Sequence, residues 1–89
     1  MNILETKIPE ELKETYARKA TTYLIGIIGP ENMGRLSQSP DTVRQVETNI
    51  SKALYLLETQ PNMREDCKSY LQTMTFCLTD GLRQKGLLK

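Results

Sequence analysis

The sequence predicts an all-α fold: a small helical bundle of three main helices whose last two form a C-terminal antiparallel helix hairpin. Three observations carry that expectation. Three amphipathic stretches each open on their own helix-start signal. Gln60, Pro61 and Asn62 interrupt two long apolar stripes, and so short a break implies a reversal of direction. No internal repeat, low-complexity block or linker divides the 89 residues, so they read as a single helical domain, 1–89.

Residues 1–8 form an N-terminal arm with Ile3, Leu4 and Ile8 among polar neighbours. Its alternatives are a loose lead, a short strand or an apolar arm packed on a neighbour, because terminal segments are loose unless tied down. Helix one is expected over 9–28. Pro9 suits a first helical position, and Glu10, Glu11 and Glu14 favour the positive end of the dipole. Leu12, Tyr16, Ala20, Tyr23, Leu24, Ile27 and Ile28 then recur at spacings of three and four. A strand over 22–28 is the local alternative, outweighed by the longer helical period. Gly29 and Pro30 stop the element.

A connector is expected over 29–38, rich in turn formers, with one short extra helical turn around Met33 as an option. Helix two is expected over 39–60. Ser39 is placed to accept from free backbone donors, with Pro40 at the first helical position and Asp41 behind it. Val43, Val46, Ile50, either Ala53 or Leu54, and Leu57 make a short heptad-like seam. Helix three is expected over 62–85, with Asn62 and Glu65 at capping-box spacing. Its stripe is Met63, Cys67, Tyr70, Leu71, Met74, Cys77, Leu78 and Leu82. Gly81 costs about 1 kcal/mol against alanine inside a helix. Close approach by a neighbouring helix is the expected compensation, and a simple kink is the alternative.

Composition narrows function mostly by exclusion. Twelve basic against eleven acidic residues give a net charge of +1, unlike the strong basic excess of a dedicated phosphate-backbone binder. No run approaches the ~18 apolar residues of a membrane span. The first residues lack the pattern of a cleaved secretory signal, so a cytoplasmic location is expected. The chain has no histidine, which removes the commonest general base and metal ligand. Cys67 and Cys77, if on one helix, stand about 15 Å apart along its axis. A disulfide needs roughly 7 Å or less between Cα atoms, so they cannot pair. They read as two small buried hydrophobes, or as one thiol at an intermolecular contact. The acidic clusters read as solvated, dipole-favouring charge. No catalytic, cofactor-binding or metal-binding residues are assigned, and no enzyme is expected.

What remains is binding. Three helices around one seam leave an open side, and a second copy of the chain is the simplest way to close it. Tyr55 and Leu56 on helix two and Phe76 on helix three widen the apolar faces, and together with the stripe residues Met74 and Leu78 they are the candidate protein-contacting residues. The expected role is a non-enzymatic protein-binding module: an adaptor, a chaperone or an inhibitor, homodimeric in one version. Its size, balanced charge and paired-helix pattern resemble those of small bacterial or phage adaptors, secretion chaperones and inhibitors, a likeness of architecture that carries no residue across. One alternative is a nucleic-acid-binding regulator using Arg35, Arg44, Arg83, Lys85 and Lys89. Another is a nucleotide or anion sensor using the 29–35 loop, from Gly29 to Arg35.

Overall fold

The computed structural model describes residues 3–36, 38–84 and 86. Among them the chain is helical, with no strand. Its elements are a 3-10 turn at Ile3–Glu5, then α1 (Glu10–Leu36), α2 (Pro40–Thr59), a 3-10 turn at Pro61–Met63, and α3 (Arg64–Gln84). The strand alternative at 22–28 is not realised: these residues lie inside α1.

Helix α1 contains one break. Gly29 has φ 83° and ψ 156°, a backbone region essentially reserved for glycine. The first helical stretch therefore ends at Ile28, where the apolar period ends. The Asn32 side-chain amide also donates to the Ile28 carbonyl at 2.8 Å, tying the restarted stretch back across the break. Helical structure resumes at Pro30 and runs to Leu36. The connector expected over 29–38 is thus helical from Pro30 to Leu36, longer than the single turn offered as an option around Met33. Proline fixes a φ suited to a helix start and needs no hydrogen-bond acceptor there. Met33 and Leu36 then give the restarted stretch an apolar side packed against the core.

Two other boundaries differ from expectation. Ser39 precedes α2, but its side chain makes no capping hydrogen bond. Its backbone carbonyl instead accepts from Val43 N–H at 3.1 Å, and Pro40 supplies the helix start. Asn62 lies within the 3-10 turn, and α-helical structure begins two residues later, at Arg64. Gln60, extended at φ −124° and ψ 91°, ends α2, and Pro61 opens the tighter turn.

Helices α1 and α2 are antiparallel. Lys19 reaches Glu58 at 2.8 Å, while Thr21, further along α1, donates to Glu47, a point much earlier on α2. Ser51 is buried, and its hydroxyl lies 3.2 Å from the Tyr16 carbonyl and 2.7 Å from that of Glu47. The main core joins Ala20, Leu24 and Ile28 of α1 to Ile50 and Ala53 of α2 and to Leu71 and Leu82 of α3. Ala20 and Ala53 are wholly buried, and residues this small let helix backbones approach closely. Burying Leu24 and Ile50 completely contributes roughly 1.5–3 kcal/mol each. A second cluster of Leu56, Met63 and Cys67 packs the end of α2 against the start of α3.

The N-terminal arm belongs to the fold. Ile3 packs against both apolar clusters, and Lys52 Nζ of α2 donates to the Leu4 carbonyl at 2.8 Å. Gly81 has a different environment from the one its sequence position suggests. Among the described residues nothing lies within 4 Å of where its Cβ would stand, so no described helix requires the glycine.

Candidate functional site

The five residues singled out for partner contact occupy three different environments. Leu56 is only 2% exposed and belongs to the second cluster, so it is core and not surface. Its place on a wide apolar stripe conceals this from the sequence, because η-turn residue Met63 covers the flank of α2. Tyr55 is half-buried and meets Tyr16 edge-on, with ring centroids 5.4 Å apart and planes at 89°. Met74 and Leu78 are half-buried and pack against the main core.

Phe76 alone faces out, at 69% exposure. At 100° per residue it stands about 140° around α3 from the buried Leu71. Its neighbours one turn away are Gln72, Thr73, Thr79 and Asp80, all polar. Phe76 is thus a single aromatic on a polar helix face, next to the exposed Cys77. Among the described residues, Leu4 and Ile25 are the other large apolar side chains that are exposed.

The two cysteines have separated fates. Cys67 is buried, and desolvation, aided by the nearby Asp66 charge, pushes its thiol pKa up. Cys77 is exposed, which corrects the reading of both as buried hydrophobes. No proximity between them is needed for either role.

Around Tyr55 the structure builds a polar-aromatic knot. Tyr16 donates to Glu58 at 3.3 Å, and Lys19 Nζ lies 2.8 Å from the same carboxylate and 4.9 Å from the Tyr16 ring centroid. Burial first, and then the Glu58 charge, raises the Tyr16 pKa. The hydrogen bond to Glu58 raises that of Lys19. The knot closes on itself across α1 and α2, which suits a structural clasp better than a reaction centre.

The residues of the alternative readings are dispersed. Arg35 lies on the restarted part of α1, with Nη1 3.5 Å from Asn32 Oδ1. Arg44 is exposed on α2 and Arg83 on α3, while Lys85 and Lys89 lie outside the described residues. The expected 29–35 loop is a kink followed by helix, so Gly34 has no phosphate-cradling turn around it. Among the described residues no group of three or more His, Cys, Asp or Glu side chains could hold a metal ion. No helix among them is long and apolar enough to cross a membrane.

Thr6, Lys7, Ile8, Lys13, Ala17, Thr48, Ser51 and Lys52 line a half-open cavity of about 690 Å³ where the N-terminal arm crosses α1 and α2. No spacing rule links Lys7, Lys13 and Lys52. Only the docking of the arm brings them together.

No protein-family model matches the chain, and no curated protein or solved structure shows significant similarity to it.

Proposed function

We propose that the chain is a non-enzymatic protein-binding helical module that works as an adaptor, chaperone or inhibitor, with Phe76 as its anchor. The single observation behind this reading is the 69% exposure of its only phenylalanine on an otherwise polar stretch of α3. Covering such a side chain is worth roughly 1.5–3 kcal/mol. A lone aromatic ringed by polar groups also has the composition of an interface hot spot with its rim. Half-buried Met74 and Leu78 stay with the core, and half-buried Tyr55 stays with Tyr16, so they support the anchor from behind.

The simplest partner is a second copy, joined through a C-terminal antiparallel hairpin of α2 and α3. Two copies meeting across α3 bring two Phe76 rings out of water at once. They also bring two Cys77 thiols near each other, while buried Cys67 stays out of reach of reagents. A short bismaleimide added to the dilute protein should therefore yield one covalent dimer through Cys77. Phe76→Ser should abolish that product without changing helicity. No dimeric product, or equal yield from Phe76→Ser, would contradict the self-association reading.

A further inference from the structure

We infer that the cavity between the N-terminal arm, α1 and α2 binds a small organic phosphate. Lys7 comes from the arm, Lys13 from the second turn of α1 and Lys52 from the middle of α2, yet all three line one half-open space of about 690 Å³. No carboxylate shares that lining. In a chain with a net charge of only +1, three lysines against the one carboxylate paired with Lys13 make a local positive excess, and it attracts an anion.

The ammonium groups keep binding capacity. Lys52 gives one of its three donors to the Leu4 carbonyl and holds two more. Lys13 pairs with Glu10 at 3.0 Å, but the Glu10 side chain is 84% exposed, and a solvated pair of this kind is readily exchanged for a better anion. A second, independent observation points to the same place. Thr6 is 9% exposed, lines the cavity, and its buried hydroxyl has no hydrogen-bond partner among the described residues. An unsatisfied buried hydroxyl is a standing cost that folding normally avoids; its oxygen is closed off from the cavity, so a ligand oxygen satisfies it once the neighbouring side chains shift. The Ser51 hydroxyl, by contrast, is already committed to backbone carbonyls.

Size and lining narrow the ligand. The volume falls within the range of small-molecule sites and exceeds what a bare phosphate fills. Ile8, Ala17 and the aliphatic stems of the lysines supply an apolar wall beside the charges. Lysines act as mobile point charges on phosphate, without the fixed fork by which arginine selects a planar carboxylate.

The test is calorimetric titration of the full chain with phenyl phosphate and with inorganic phosphate. Phenyl phosphate should saturate one site and bind more tightly than inorganic phosphate, because its ring covers the apolar wall. Lys7→Gln and Lys52→Gln should each weaken binding by about five- to tenfold, whereas Lys68→Gln on α3 should stay within about twofold. Thr6→Val should raise the melting temperature of the free protein and yet weaken binding, a combination that a purely structural threonine does not produce. No saturation by about 10 mM phenyl phosphate overturns the assignment. So do equal affinities for the two phosphates, an equal effect of Lys68→Gln, or an unchanged affinity in Thr6→Val.

Discussion

Two glycines show how differently the same residue acts in this chain. Gly29 holds a φ of +83° at the α1 break, where a Cβ is strained whatever space surrounds it. Gly29→Ala should cost about 1–3 kcal/mol in a denaturant titration. Gly81 has no positive φ and open space around its Cβ position, so Gly81→Ala should stabilise by about 0.4–1 kcal/mol. A loss at position 81 would mean that something packs there after all. The thiols make a similar contrast. A maleimide should modify Cys77 rapidly in the native protein and Cys67 only on unfolding, read by intact mass. The raised pKa values give stability a direction with pH. Tyr16, Tyr70 and Cys67 hold their protons more tightly when folded, chiefly through burial, and Lys19 does so through its hydrogen bond to Glu58. Their contribution is complete below the unfolded values of 9.0 for cysteine, 10.0 for tyrosine and 10.5 for lysine. It is lost as pH rises through the higher folded values. Denaturation midpoints should therefore fall on the alkaline side of pH 9, and Tyr16→Phe should make that fall shallower.

At the scale of elements, the N-terminal arm is the part whose behaviour the sequence left open. Its contact with both apolar clusters runs through Ile3, so Ile3→Ser should cost about 1–2 kcal/mol by thermal or chemical denaturation. No change would show that the arm only rests on α2. The three main helices were legible because their apolar residues step by three and four and because prolines mark their starts. The end of the first stretch at Ile28 was legible for the same reason. The restart beyond Gly29 was legible only as an optional turn around Met33, because glycine, proline and asparagine are turn formers in sequence but here make one kink and a longer helical start. Side-chain capping by Ser39 was also illegible in outcome: proline at the first position already sets the helix entry, and the backbone carbonyl makes the bond. The site was less legible than the fold. A wide stripe on a helical wheel does not say which flank another helix will cover. Leu56 and Phe76 therefore looked alike in sequence and differ from 2% to 69% in exposure. The lysine cavity depends on an arm of irregular structure, which no periodicity describes.

For the whole molecule, α2 is the central element: both α1 and α3 pack mainly on it and contact each other little. That arrangement leaves the outer face of α3, with Phe76 and Cys77, remote from the α1–α2 core. The proposed aromatic anchor on α3 and the proposed anion cavity beside the arm accordingly lie on different elements. Sedimentation equilibrium of the wild type and of Phe76→Ser over a wide concentration range, with circular dichroism on the same samples, tests the central claim most directly. The wild type should move from monomer to dimer as concentration rises, and Phe76→Ser should remain monomeric with unchanged helicity. A wild type that stays monomeric throughout, or a Phe76→Ser variant that dimerises equally well, would contradict it.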